Sequence, residues 1–279
     1  MPNQDPKTPK DVFNPASLLS GVGSVDLKTH NALEQIADQC PHSTTLEEMP
    51  IRTIHHLSCT GGTLFTKCLA SMPNVVVLNE INPFSRMQIP KGKPPFTPTD
   101  IVALVRQGEQ SLASDAVIKE IFLDNLAALR KKCWLTGRFL VLRDHSHSQF
   151  LHRELDEAMP TLREVILERF PVLSVVTTRS VERASASMER NGWHKHFTPS
   201  GLEEYKRRCQ AFYQRFEAVE RVSYEDMVER PMEIMRRVCD ILDLEFFDGF
   251  QDTFSAFNFS GDSGRGGNVI RKPAEALTG

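Results

Sequence analysis

Five short, β-branched apolar runs separated by longer segments of helical period constrain this chain more than any other feature of it. The runs are Ile51 to Leu57, Val75 to Leu78, Phe139 to Leu142, Val172 to Thr177 and Val219 to Ser223. Between and after them, helices are expected over Thr63 to Ser71, Pro98 to Gln107, Asp115 to Lys131, Val181 to Arg190, Gly201 to Phe216 and Met232 to Leu242. Strands that are apolar almost throughout must be covered on both faces, and strands alternating with helices pair in parallel. The expected class is therefore α/β, in three α/β/α layers around a central, mostly parallel five-stranded sheet. A chain of 279 residues buries about three quarters of its unfolded surface in one core, so one large domain is expected, over residues 49–279. Residues 1–48, rich in Pro, Asn, Thr and Asp with one weakly helical stretch from His30 to Cys40, read as a tail or peripheral helix.

Charge and cysteine usage exclude several classes of function. With 33 Lys+Arg against 36 Asp+Glu, the net charge of -3 leaves no broad electrostatic footprint for nucleic acid. The six cysteines, Cys40, Cys59, Cys68, Cys133, Cys209 and Cys239, contain no C-x-x-C pair. They suggest neither a disulfide framework nor a zinc knuckle, and a reducing, cytoplasmic location is expected. The N-terminus lacks the basic-then-apolar order of a signal peptide, and no apolar run reaches the roughly 18 residues of a membrane span.

The first strand runs into a helix through Ser58-Cys59-Thr60-Gly61-Gly62-Thr63. Such a turn aims unpaired backbone N–H groups at one spot, where the helix dipole favours phosphate or sulfate. An anion cradle and a simple tight turn are both open on these residues alone. The order G-x-x-x-x-G-K-[ST] is absent, which speaks against an ordinary nucleotidase or kinase. A cysteine phosphatase needs an arginine closing the loop, and Leu64, Phe65 and Thr66 follow instead.

Cys59-Thr60-Gly61-Gly62-Thr63-Leu64-Phe65 resembles the 5′-phosphosulfate loop of the sulfotransferase family, a P-loop NTPase-like fold whose loop reads Lys or Arg, Ser-Gly-Thr-Thr, then a hydrophobic helix. Ser71-Met72-Pro73-Asn74-Val75-Val76-Val77-Leu78-Asn79-Glu80 is similar to the family's next element, and Arg221 to Pro231 to its Tyr-Glu-Asp-Leu segment. The resemblance spans about residues 50–272 and implies a sulfuryl transfer from 3′-phosphoadenosine 5′-phosphosulfate (PAPS) to a hydroxyl of a carbohydrate or other small acceptor, without a metal. It implies that Thr60, Gly61, Gly62, Thr63 and Leu64 hold the 5′ end of the donor. Arg179 at the end of the fourth strand, and Ser187 eight positions on, match the family's 3′-phosphate pair. Arg265, in the glycine-rich segment Ser260 to Asn268, is placed like the loop that closes on that phosphate, with Arg271 and Lys272 as weaker matches.

One departure matters. The basic loop position is Cys59, and removing one such donor from a transition state costs roughly 3–4 kcal/mol. Lys67 and Arg143 are the cations able to substitute, and Arg143 is favoured because a lysine one turn into a helix is by default solvated. Arg143-Asp144-His145 occupies the place of the family's Lys-Thr-His. That implies Arg143 on the sulfuryl group and His145 as base, with Glu80 the rival base. An Asp144, His145 and His147 metal-binding or hydrogen-bonded turn is the other reading of this segment. His55 or His56 points inward toward the loop, and Trp193, His194 and His196 follow a helix stop near the expected acceptor side. The loss of charge at Cys59 also keeps open a P-loop-like nucleotide- or partner-binding protein without transfer activity. The proline-rich stretch from Ile81 to Thr97 is expected to shape the acceptor pocket.

Overall fold

The computed structural model describes residues 44–85, 87, 98–108, 112–260 and 270. The tail with its expected helical stretch, Arg86 with residues 88–97 of the proline-rich stretch, and Arg265, Arg271 and Lys272 lie outside the described residues.

Strands β1 (Ile51–His55), β2 (Val75–Ile81), β3 (Phe139–Asp144), β4 (Val172–Thr178) and β5 (Glu220–Ser223) form one sheet in the order β2-β3-β1-β4-β5. Every strand pair is parallel, so the expected mostly parallel sheet is parallel throughout. The longer helices are α1 (Gly62–Ala70), α2 (Ile101–Gly108), α3 (Asp115–Leu135), α6 (Val181–Arg190), α7 (Leu202–Arg215) and α9 (Pro231–Leu242). Shorter ones are α4 (Ser146–Phe150), α5 (Leu162–Leu167), α8 (Tyr224–Glu229) and α10 (Phe250–Thr253), none of which has enough residues to show a helical period in the sequence. None of the described helices is long and apolar enough to cross a membrane.

Strand alternation decides which layer each side chain meets. Ile54, Val141, Val175 and Val222 face one side of the sheet and pack with Phe65, Cys68 and Leu69 of α1 and with Ile234, Met235 and Val238 of α9. Ile51, Leu140 and Leu142 face the other, against Phe122, Leu123 and Leu126 of α3 and Val165 and Ile166 of α5. A third cluster joins Leu57 and Val176 to α6 and α7 through Ala184, Met188, Tyr205 and Phe212.

Several boundaries differ from expectation, two of them for local reasons. The helix expected from Pro98 starts at Ile101, because the Asp100 carboxylate accepts the Ala103 N–H at 3.0 Å and so caps it. Strand β2 runs three residues past Leu78, but its register against β3 shifts between Leu78 and Ile81, and Glu80 takes a left-handed φ of 51°. The polar pair Asn79-Glu80 hides the continuation from an apolar pattern.

Buried arginines tie loops to this frame. Arg52 donates to the Leu242 carbonyl at 2.6 Å and the Asp243 carbonyl at 2.9 Å, placing a cation where α9 leaves its last acceptors unpaired. Arg208, fully buried, donates to the carbonyls of Phe150, Arg153 and Thr198 and pairs with Glu204 at 2.6 Å. This fixes the chain that follows α4. Hydrogen bonds from Arg207 and Arg208 hold the Glu204 carboxyl down to about 2 despite opposing desolvation. Its stabilisation is therefore full above the ordinary carboxyl value of 4.5 and is lost as pH falls toward about 2. Glu204→Ala leaves the Arg208 charge buried without its carboxylate and should cost about 3–5 kcal/mol. Denaturant unfolding at neutral pH measures this, and the loss relative to wild type should shrink on acidification.

Candidate functional site

The loop between β1 and α1 is shaped by conformations few side chains tolerate. Cys59 has φ 66° and Gly61 φ 91°, both left-handed. A Cβ on Gly61 would lie 2.5 Å from Cδ2 of Tyr224, and one on Gly62 2.3 Å from Cγ of His56. Close approach thus requires glycine at both positions, and backbone angle requires it at Gly61 as well. The Thr60 hydroxyl donates to the Leu57 carbonyl at 2.8 Å and lies 3.1 Å from the Thr177 hydroxyl of β4. Gly61 has no side chain with which to cap α1, so the cap residue itself leaves the start of this helix open to another acceptor. Leu64, in the first turn, packs against the core on the α1 side of the sheet.

Arg143 is delivered to this loop by alternation along β3. It points to the α1 side with Val141, while Asp144 points to the other. The guanidinium is buried, 2% exposed. Its Nη2 donates to Thr63 Oγ1 at 3.0 Å and lies 3.3 Å from Glu80 Oε1. Its Nη1 donates to Asn79 Oδ1 at 2.8 Å and to the Ser260 carbonyl at 2.9 Å. Its Nε donates to His56 Nε2 at 2.8 Å. That bond assigns the tautomer of His56: Nδ1 carries the proton and donates to the Leu57 carbonyl at 3.1 Å. Burial, followed by the Arg143 charge, pushes His56 well below its ordinary value, so it stays neutral and able to accept.

The rest of the segment separates into two environments. Asp144 accepts from Ser146 Oγ at 2.6 Å and lies 2.7 Å from His55 Nδ1, whose Nε2 lies 2.8 Å from Thr53 Oγ1. This is a buried network on the opposite face from the loop. The alternative reading of this segment, Asp144 grouped with His145 and His147, is not the arrangement found. The carboxylate that meets His145 and His147 is Glu80, with ligand-type atoms of all three within 4.8 Å of one another. His145 is mostly buried, and its Nδ1 lies 2.9 Å from the Ser85 hydroxyl. Burial lowers its pKa, and Glu80 and Asp144 oppose that shift. The rings of His145 and His147 meet edge to face at 4.1 Å. Burial, then the charges of His145 and Arg143, lowers His147 well below its ordinary value.

Arg179 lies against the same loop. Its Nη1 donates to the Cys59 carbonyl at 2.8 Å, its Nε lies 4.0 Å from Glu225 Oε1, and its guanidinium stacks on Tyr224 at 4.7 Å. It does not pair with Glu182, which accepts from Ser180 instead. Ser187 is buried, two turns into α6. Lys67 is also buried, contrary to the solvated position expected for it. Trp193, His194 and His196 form a short 3-10 turn, and His196 is close enough to lower His147 electrostatically.

The sequence pattern of the sulfotransferase family matches residues 54–248. The chain belongs to this family. Among curated protein sequences none matches it. The sulfotransferase domain from the curacin biosynthetic pathway superposes with a TM-score of 0.50 at 15% identity, covering 80% of this chain and 84% of that one. The sulfotransferase domain of the olefin synthase of Synechococcus PCC 7002 gives 0.49 at 16% identity, with 80% and 82% covered. The first of these likenesses supports the sulfotransferase fold: a five-stranded parallel sheet flanked by helices.

In this sulfotransferase-family chain, Asn79, Ser85, Ser260 and the anchoring part of His56 escape sequence reasoning. The available signals were weak: a polar Asn79 where an apolar strand stops, and the first residue of a glycine-rich segment. His56→Ala should remove the acceptor of Arg143 Nε and destabilise the fold by about 1–3 kcal/mol, read from the denaturant midpoint.

Proposed function

We propose that this chain transfers a sulfuryl group from PAPS to a hydroxyl of a small acceptor, a carbohydrate among the candidates, and that residues 49–279 are the unit that carries the reaction. Sulfotransferase membership supports the reaction class. The observation that carries the reading is Arg143, which reaches from β3 to Thr63 on the first turn of α1. It supplies the positive charge that the loop lacks at Cys59.

The geometry supports the following roles. Thr60, Gly61, Gly62, Thr63 and Leu64 form the helix start that takes the 5′ end of the donor, where partial positive charge is already oriented. Arg143 stabilises charge developing on the sulfuryl oxygens and on the departing phosphate. The acceptor oxygen bonds to sulfur as the bond from sulfur to the phosphate oxygen breaks. The electron pair leaves with adenosine 3′,5′-bisphosphate (PAP), and the hydroxyl proton goes to His145.

His145 suits that part better than Glu80. Ser85 fixes its ring through Nδ1, leaving Nε2 as the nitrogen to take the proton. Glu80 is already committed as a carboxylate to Arg143 and accepts from the Ser260 hydroxyl. Glu80 then acts as a positioning residue that holds Arg143 on the loop. Arg179 and Ser187, with Arg265 from outside the described residues, are assigned to the 3′-phosphate. Arg179 suits it as a bidentate donor braced by Tyr224 and the loop carbonyl.

Calorimetry with adenosine 3′,5′-bisphosphate tests the donor assignment. Wild type should bind, and Arg179→Ala should weaken binding about 10-fold or more. Absence of binding, or binding indifferent to Arg179, refutes it. His145→Ala should lose about 100- to 10,000-fold in turnover while keeping nucleotide affinity. Nucleotide binding by wild type without sulfate transfer to any acceptor in a labelled-donor screen would favour a binding protein over an enzyme.

A further inference from the structure

We propose that Glu80, His145 and His147 form a binding site for a first-row divalent ion of the zinc class, in which two imidazoles and one carboxylate converge and an open position remains. Their ligand-type atoms lie within 4.8 Å of one another. A tetrahedral zinc with bonds of about 2.0–2.1 Å sets its ligands about 3.4 Å apart. Closing on the ion therefore takes movements on the order of 1 Å, within reach of side-chain rotation.

Three further observations point to a ligand there. His147 Nδ1 is buried and has no hydrogen-bond partner, an arrangement that leaves an imidazole nitrogen unsatisfied until something binds it. His145 has its Nδ1 beside the Ser85 hydroxyl, the type of outer partner that fixes the ring of a metal-ligating histidine. Glu80 is steadied by Arg143 on one oxygen and by the Ser260 hydroxyl on the other, and a carboxylate has lone pairs beyond those two bonds. Asp144 takes no part, since His55 and Ser146 occupy it. Two nitrogens and one carboxylate suit zinc, cobalt or iron(II) rather than magnesium or calcium, which demand oxygen.

The site has a functional consequence that rests on the reading of His145 as the base. An ion coordinated by His145 uses the same imidazole that would accept the acceptor's proton, and its charge opposes the neighbouring Arg143. Zinc should therefore inhibit transfer in competition with the proton, while leaving nucleotide binding at Arg179 intact.

Cobalt(II) is the probe. Added to the full chain after removal of metals by a chelator, it should give the visible absorption of a tetrahedral or five-coordinate site, saturating at one ion per chain and displaced by zinc. His147→Ala should weaken cobalt binding at least about 10-fold, and Cys59→Ser should leave it unchanged. His147→Gln, which keeps a polar group of similar size, repeats the test if thermal melting shows His147→Ala to be misfolded. No such absorption in wild type, or the same affinity in both His147 variants, overturns the proposal. The calorimetric titration with adenosine 3′,5′-bisphosphate separates the two readings. A cobalt signal without nucleotide binding leaves the metal site standing and removes the donor assignment, and nucleotide binding without a cobalt signal does the reverse.

Discussion

A guanidinium buried at the start of a helix is the constraint around which the rest of this site is organised. Taking Arg143 out of water carries a desolvation penalty of several kcal/mol, which only a shell of acceptors in good geometry offsets. The shell comes from every side: Thr63 from α1, Asn79 and Glu80 from β2, His56 from the end of β1, and the Ser260 carbonyl from the C-terminal approach. Each acceptor is in turn constrained by that duty. His56 must stay neutral, and its ring takes the space that a side chain on residue 62 would need. The glycine loop, the irregular end of β2 and the approach to the C-terminal segment therefore depend on one another through a single side chain.

The frame that presents Arg143 relies on a second set of buried arginines with a different task. Arg52, Arg130 and Arg208 donate mainly to backbone carbonyls, which are fixed acceptors at helix ends and in loops. Arg130 holds the Met49 carbonyl just before β1, and Arg52 binds the last carbonyls of α9. These cations join chain ends to the sheet where apolar packing alone has no directional grip. The charge on these arginines is buried in the fold and so unavailable to a nucleic-acid surface.

Strand existence and order of appearance were legible because fully buried parallel strands are apolar on both faces. Val172 to Thr177 and Phe139 to Leu142 could hardly be anything else. The loop glycines and Arg143 were legible for a related reason, since sites on open parallel sheets gather where strands end. What escaped was set by contacts between elements far apart in the chain. Ser260 meets Asn79 and Arg143 across more than a hundred residues, and nothing local in Phe257 to Gly261 announces it. Asp144 was grouped with His145 and His147 because it adjoins them in sequence. In a strand, adjacency places neighbours on opposite faces, and Glu80 from the next strand takes the position instead. Lys67 was expected in solvent on residue type alone, whereas its place in the last turn of a helix that packs against the sheet and C-terminal elements buries it.

The same parity argument explains what it means for the positive charge to come from the sheet rather than from the loop. A cation carried on the loop itself would follow the loop wherever it moved. Arg143 is placed by the register of β3 against β1, where Ile54 pairs with Arg143. A slip of one residue would turn Arg143 to the far face and present Asp144 to the helix start, putting a carboxylate where the guanidinium now stands. Burial resists that slip strongly, because it would also exchange Val141 with Leu140 and Leu142 between two separately packed layers. In the proposed function, a cation supplied by β3 therefore depends on a strand register held by core packing on both faces. The electrostatics of the loop become a consequence of the hydrophobic core.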